Sequence, residues 1–217
     1  MKRYYKTLSL LCLSSVLLSA CKKEAKETPQ LFPIDFYAQK LQLKTHLRLF
    51  TADGEVKDPL KIAKFAEDKE LFKIEHSLNG TEQKMFSFVS KDKLLFYYTD
   101  TPAEFDVEQD GDRYLFISQK YGQLPPGMND ITKNLFKYEI RQNIPSSTVY
   151  KVINVAYGDY KTLAIPMQFY YVVRRQQGNY QMSSGSAFNE INDSFATTLK
   201  NQDTLAFKTY NIITKSK

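Results

Sequence analysis

The sequence predicts a mainly β fold, a β-rich α+β class in which a single antiparallel barrel-like or two-sheet domain carries one to two short helices. Apolar and polar residues alternate with a period of two in several stretches, which is typical of strands with one buried face. Turn dipeptides such as Asp110-Gly111 and Gly178-Asn179 separate these stretches and are expected to form two-residue hairpin tips. Strands joined by such local hairpins run antiparallel.

The first strand is predicted over residues 41–49, where four leucines and a threonine alternate with polar side chains. A helix is predicted to begin directly after Asp58, because Asp58 suits the N-cap position and Pro59 the first helical position. The apolar face of this helix is expected to consist of Leu60, Ala63, Phe65 and Ala66.

Further short runs predict the rest of the sheet. They cover residues 84–90, 93–99, 104–109, 113–118, 136–141, 149–157, 160–175, 179–183 and 204–214. The run 160–175 is expected to be interrupted at Pro166, because proline cannot donate a ladder hydrogen bond. A second short helix is predicted from Asn189 to Leu199, where Ile191, Phe195 and Leu199 share one stripe.

The longest stretch without a pattern, Gln119 to Asn134, is expected to be a loop at an open end of the β structure. Long loops in compact domains are often functional, and Tyr121, Leu124 and Met128 give this one apolar side chains to offer a ligand. A packed connection is the alternative.

Charge and cysteine content argue against several classes of protein. The formal net charge of +6 falls to +3, with 27 basic and 24 acidic residues, if the three basic residues before residue 8 are removed with a leader. Because the remaining charges are interspersed, we expect no nucleic-acid partner. The only cysteines, Cys12 and Cys21, lie near the N-terminus, so we expect neither a disulfide nor a metal or other cofactor in the folded domain.

The N-terminus has the layout of a signal peptide, with basic residues followed by an apolar run over residues 8–18. The run ends in Leu18-Ser19-Ala20-Cys21, which resembles the lipobox of bacterial lipoproteins. This resemblance implies cleavage before Cys21 and lipidation of its thiol, so that acyl chains such as palmitate anchor the protein to a membrane. A secretory signal followed by an incidental cysteine is the alternative.

The expected domain organisation follows from this N-terminus. Residues 1–20 are a lipoprotein signal peptide, residues 21–33 are the lipidated cysteine with a flexible, polar tether, and residues 34–217 form a single β-rich domain.

Aromatic residues are abundant, with fifteen Phe, fifteen Tyr and no Trp. Adjacent aromatic residues in one strand must point to opposite faces of the sheet, so some tyrosines face outward or line a cavity. Cross-strand packing is the simpler interpretation, and ligand binding is the alternative.

One set of aromatic and proline residues resembles the proline pocket of FKBP-type peptidyl-prolyl isomerases. The similarity spans Tyr98, Phe105, Phe116, the segment Leu124-Pro125-Pro126-Gly127-Met128 and Tyr150. It implies that these residues gather around one apolar ligand. Together with Tyr121, they are the candidate ligand-binding residues.

The C-terminal half resembles outer-membrane lipoproteins of the Bacteroidota that have no assigned activity, through the segments 155–160, 188–190 and 203–207. This resemblance implies a lipid-anchored protein on the periplasmic or cell-surface face of the outer membrane. No catalytic constellation stands out, so a non-enzymatic role is expected, in binding a small apolar ligand or an envelope protein. A divergent FKBP-type isomerase is the alternative function.

Overall fold

The fold is described by a computed structural model over residues 30–73, 83–97, 101–123, 128–145, 147–176 and 178–217. The strands in these residues are β1 Ile34–Thr51, β2 Gly54–Glu55, β3 Lys84–Ser90, β4 Lys93–Phe96, β5 Ala103–Asp110, β6 Arg113–Gln123, β7 Ile140–Ile144, β8 Ser147–Gly158, β9 Thr162–Gln176, β10 Asn179–Ala187 and β11 Thr204–Ser216. The helices are α1 Pro59–Glu67, α2 Glu70–Lys73, α3 Met128–Thr132 and α4 Asp193–Ala196. Residues Phe32–Lys217 form one compact unit.

Eight of these strands close into an antiparallel barrel, in the order β9-β11-β1-β3-β4-β5-β6-β8. The barrel is closed where β8 meets β9, at the register pairs Tyr157↔Ala164 and Gly158↔Leu163. β10 extends the sheet alongside the later part of β9, and β7 does so alongside the first part of β8. The predicted mainly β, barrel-like fold is therefore confirmed.

The barrel interior is filled mainly by aromatic side chains that alternate along the strands. Phe86 is fully buried, and its ring centroid lies 4.8 Å from that of Phe36 and 5.6 Å from that of Phe116. Phe88 and Tyr114 continue the same cluster. Because aromatic rings each bury a large apolar area, this cluster is the main source of hydrophobic stabilisation in the barrel.

Two smaller clusters attach the helices to the sheet. α1 and α2 contribute Phe65 and Phe72 to a cluster with Phe169 and Tyr210. On the other face of β9 and β11, Ile131 of α3 and Phe195 of α4 pack against residues that include Val172 and Leu205.

The start of the first helix agrees with its prediction. Asp58 Oδ1 accepts a hydrogen bond from the backbone N–H of Leu60 at 2.9 Å, and Pro59 is the first helical residue. The apolar face differs from the expected one, because Leu60 is 79% exposed and Ala63 is exposed. The residues that contact the sheet cluster are Ile62, Phe65 and Ala66.

The two hairpin tips are each shifted by one residue from their predicted positions. Asp110 pairs with Arg113, so the first tip is Gly111-Asp112. Asn179 pairs with Gln176 as the first residue of β10, so it does not belong to the second tip, and Gly178 directly precedes the strand. The dipeptides indicate that a glycine sits in the turn, but the cross-strand pairing decides which turn position it occupies.

Three other predictions need correction. β9 runs without interruption through Pro166, which lies opposite Asn211. The second helix is only α4, because the chain at Ile191 forms a β-bridge with Phe136 instead. The predicted loop over 119–134 is mostly regular, since β6 continues to Gln123 and α3 begins at Met128; residues 124–127 lie outside the described residues.

Candidate functional site

The candidate site is a cavity at the seam where β8 and β9 diverge. Next to their shared turn, Gly158 has a φ of 131°, and a Cβ at this position would clash with the carbonyl oxygen of Thr162. Beyond this turn, β9 continues against β10 and β8 against β7. The space between the two pairs of strands has a volume of about 460 Å³ and is partly open to solvent. We call it the seam cavity; its volume is in the range of small-molecule sites.

The walls of the seam cavity are rich in aromatic side chains. They are Phe136, Tyr138, Tyr150, Tyr170 and Phe188. Phe136 and Tyr170 meet edge to face, with ring centroids 5.3 Å apart. The ring of Phe188 stacks on Phe96 of the barrel interior at 5.7 Å, so this side chain joins the cavity wall to the barrel core.

Hydrogen bonds hold the segment that crosses from β10 to β8 in place. The backbone N–H of Val155 donates to the carbonyl oxygen of Phe188 at 2.8 Å. The Asn189 amide donates to the carbonyl oxygens of Tyr138 at 2.9 Å and Ile153 at 3.0 Å. Because Asn189 is 5% exposed and its amide nitrogen has these two acceptors, this cavity wall is rigidly positioned.

Two of the three charged side chains that line the cavity, Glu139 and Arg141, are paired with each other. Arg141 Nε donates to Glu139 Oε2 at 3.0 Å, and Arg141 Nη2 donates to the carbonyl oxygen of Thr132 at 2.8 Å. Glu139 also accepts hydrogen bonds from the backbone N–H groups of Asn134 and Phe136, at 3.0 and 3.2 Å. The carboxylate and the guanidinium therefore compensate each other. The third charged lining residue, Lys151, lies with its Nζ 5.2 Å from the ring centroid of Tyr121.

Ser183 is the polar group best placed to meet a ligand. It lies on β10, lines the cavity, and is only 5% exposed. A hydroxyl can both donate and accept a hydrogen bond, so Ser183 gives the cavity a polar group for a ligand that enters it.

An ionic cluster lies beside the cavity. The Tyr157 hydroxyl donates to Glu190 Oε1 at 2.9 Å, and Lys137 Nζ donates to Glu190 Oε2 at 3.2 Å. Burial, followed by the hydrogen bond to Glu190, raises the pKa of Tyr157, while Glu190 raises the pKa of Lys137. Both groups therefore keep their protons at neutral pH, and neither acts as a base there.

The predicted ligand-binding residues whose side chains the structure describes do not gather in one place. Phe105 and Phe116 are buried in the barrel interior, whereas Tyr150 lines the seam cavity. Tyr121 is 47% exposed on β6, with Lys151 Nζ 5.2 Å from its ring centroid. Met128 begins α3, but its side chain lies outside the described residues, as do Tyr98 and Leu124.

Sequence reasoning missed Tyr170, Ser183 and Phe188 as cavity residues. The run of aromatic residues over 169–171 indicates that one tyrosine must face away from its neighbours, and Tyr170 is that residue. No local pattern indicates Ser183 or Phe188, because their positions depend on how β10 and the following segment return to β8.

The chain was compared with protein-family models, curated proteins and solved structures, and none of them matches it. No helix within the described residues is long and apolar enough to cross a membrane. In the same part of the chain, no group of three or more His, Cys, Asp and Glu side chains is placed to hold a metal ion.

Proposed function

We propose that this protein is an outer-membrane lipoprotein with a non-enzymatic binding role, and that its seam cavity receives an uncharged aromatic or apolar group. The observation that carries the proposal is the partly open cavity of about 460 Å³ with five aromatic side chains in its walls. Pockets that combine mostly apolar walls with a few polar groups are typical binding sites.

The pairing of Arg141 with Glu139 favours an uncharged ligand. The Arg141 guanidinium is held by Glu139 and Thr132, so an anion would have to displace an existing partner. The Ser183 hydroxyl can offer a hydrogen bond to an uncharged group in the cavity. A phenol-like ring, with a flat apolar body and one polar atom, has the matching chemistry.

The location is proposed from the N-terminal sequence. Leu18-Ser19-Ala20-Cys21 supports lipidation at Cys21, and residues 22–30 are polar and charged, as a solvated tether requires. A domain held in this way on the periplasmic or cell-surface face of the outer membrane can bind a ligand or an envelope partner without leaving the membrane.

The test uses 4-fluorophenol as a probe, with its fluorine NMR signal read in the presence of the full chain in detergent. We expect the probe to bind and its signal to broaden. Ser183→Phe should abolish this effect, because the new ring occupies the cavity. Met182→Phe is the matched control, since it adds the same ring one residue away, where the side chain is exposed and points to the opposite face of β10.

Binding that survives Ser183→Phe in a folded protein would contradict the assignment of the cavity. Peptidyl-prolyl isomerisation by the full chain, lost in Tyr150→Ala while the fold is retained, would favour the isomerase alternative over a binding role.

A further inference from the structure

The strand β10 ends the sheet with an edge that no described strand covers. Its nine residues pair with β9 in unbroken register, from Asn179↔Gln176 to Ala187↔Gln168. The chain then leaves the sheet toward β8. The other side of the β10 backbone therefore pairs with no described strand, while α3 packs against β10.

The register determines which backbone groups point to the open edge. The pair that closes a two-residue hairpin, here Gln176 and Asn179, is hydrogen-bonded, and hydrogen-bonded pairs alternate along an antiparallel ladder. The N–H and C=O groups of Tyr180, Met182, Ser184 and Ser186 thus point away from β9. In agreement with this alternation, the N–H of Arg175, opposite Tyr180, donates away from β10 to Asp203 Oδ1 at 2.8 Å.

The sequence of β10 lacks charge, proline and bulges, three devices that usually prevent strand edges from pairing. β10 has the sequence NYQMSSGSA, without a charged residue or a proline, and its pairing with β9 has no bulge. Two large side chains on it, Tyr180 and Met182, are 60% and 63% exposed. Natural edge strands are commonly blunted by charge, proline or a bulge, so an uncharged, regular edge is typical of a strand that pairs with a partner.

The open edge also borders the seam cavity. From Ser183 onward, the residues of β10 on the face toward the cavity are small, namely Ser183, Gly185 and Ala187. Ser183 is 5% exposed and lines the cavity. A strand added beside β10 would place every second side chain on this same face. The small residues leave room there for large ones.

We propose that the open edge of β10 pairs with an extended segment of a partner polypeptide, and that one aromatic side chain of this segment enters the seam cavity. The proposal rests on the proposed function and specifies where the bound ring comes from. Only a polypeptide backbone repeats donors and acceptors at the spacing that Tyr180, Met182 and Ser184 present. In strand addition of this kind, main-chain bonds supply affinity and pockets for alternate side chains supply specificity.

A second copy of β10 fits this site less well. In an antiparallel pair of identical strands centred on Ser183, Ser183 would face its own copy, and Gly185 and Ala187 would face Gln181 and Asn179, so no aromatic side chain would reach the cavity face. The cavity would then stay empty. The cavity favours a different segment, with bulky apolar residues at alternate positions.

The experiment selects binders to the full chain in detergent from a random-peptide library and follows backbone amide exchange residue by residue. Without peptide, the amides of Gln181 and Ser183 should already be protected by β9, whereas those of Met182 and Ser184 exchange quickly. We expect the selected peptides to contain an aromatic residue and to protect the Met182 and Ser184 amides. This alternation provides an internal control within one strand.

Two changes then test the backbone contact. Met182→Pro removes an N–H that points to the open edge and leaves the ladder to β9 intact, so affinity for the selected peptide should fall by about tenfold or more. Met182→Ala is the matched control and should change affinity by less than about threefold. In case Met182→Pro does not fold, the wild-type chain is tested with peptides N-methylated at alternate residues. Their affinity should be lower than that of the unmethylated peptides by a similar factor.

The proposal is overturned if neither Met182→Pro nor N-methylation of the peptide lowers the affinity. It is equally overturned if the selected peptides leave the Met182 and Ser184 amides unprotected. It is also overturned if these amides become protected without peptide as the protein concentration rises, which would identify a second copy as the occupant. Retained binding of 4-fluorophenol with no selectable peptide would refute this inference and leave the proposed function standing. If neither 4-fluorophenol nor any peptide binds, both the proposed function and this inference are refuted.

Discussion

The ring of Tyr150 lies directly over Gly122 of the neighbouring strand. The two residues are partners in the β6–β8 register, and a Cβ at position 122 would lie 3.0 Å from Tyr150 Cε1 and 3.1 Å from Cζ. Such distances are shorter than normal carbon contacts. The missing side chain at Gly122 therefore lets the tyrosine rest against β6 and form a wall of the seam cavity.

Gly122→Ala should displace the ring of Tyr150 and destabilise the protein by about 1 kcal/mol, because a methyl group is forced into an occupied space. In a Tyr150→Ala background the same substitution should be neutral or slightly stabilising, since alanine restricts the unfolded chain more than glycine does. Thermal unfolding of wild type, the two single variants and the double variant gives the coupling free energy between positions 122 and 150 directly. An equal cost in both backgrounds would contradict the contact.

Phe86→Ala should destabilise the barrel by about 3–5 kcal/mol, because it empties the centre of a fully buried aromatic cluster. This is a large part of the total stability of an ordinary domain. Chemical denaturation of the full chain measures the loss. Val89→Ala, an exposed position on the same strand, is the control and should change stability by less than about 1 kcal/mol. Similar losses at both positions would argue against a packed barrel interior.

Glu55 should make the protein sensitive to acid. Hydrogen bonds from Arg48, at 2.8 Å, and from Lys57 lower the pKa of Glu55 from its usual 4.5 to about 2. Because its pKa is lower in the folded state than in the unfolded chain, this carboxylate stabilises the fold above pH 4.5, and the contribution is lost as the pH falls toward about 2.

The check on this prediction is the pH dependence of thermal unfolding for wild type and Glu55→Gln. The variant should be less stable at neutral pH and should lose less stability than wild type over the acid range. The difference should shrink at high salt, since the pair is partly exposed. Identical acid slopes for the two proteins would rule out a role for Glu55.

Short-range signals in the sequence predict local structure well. The Asp58 cap and Pro59 predict the start of α1, because capping depends on neighbouring residues alone. The period-2 pattern predicts the middle of β1, but the strand extends over Ile34–Thr51 because β11 and β3 pair with it on both sides. Strand ends and turn positions depend on these partners, which the local pattern does not contain.

The seam cavity could not be predicted from local patterns. It exists because β8 and β9 separate after a few residues and because the segment after β10 returns to hydrogen-bond with β8. Tyr150 is indicated only through the FKBP resemblance, and the other aromatic residues of that resemblance that the structure describes, Phe105 and Phe116, lie in the barrel interior. Contacts between residues distant in sequence decide which aromatic side chains meet.

Glu139→Ala should destabilise the protein by about 2 kcal/mol or more. It leaves Arg141, whose side chain is 17% exposed, without its carboxylate, and it removes the acceptor of two backbone N–H groups. The double variant Glu139→Leu with Arg141→Met should recover part of the loss, because no charge then remains unpaired. Lys137→Met, which breaks the more exposed pair with Glu190, is the control and should cost less than about 1 kcal/mol. Thermal unfolding decides between these outcomes, and equal costs for the two pairs would contradict the structural role of Glu139.

Cys21→Ser should abolish lipidation and release the protein from the membrane fraction. The physical reason is that acyl chains on this thiol are the only source of membrane affinity that the sequence indicates, and each buried methylene contributes about 0.8 kcal/mol. Metabolic labelling with an alkyne analogue of palmitate, followed by membrane fractionation, measures both effects. Cys12→Ser is the matched control, because it changes the other cysteine, inside the predicted signal peptide, and should leave labelling intact. Equal labelling of the Cys21→Ser variant and wild type would refute the lipid anchor, whereas loss of labelling in both variants would point to failed export instead of a specific role for Cys21.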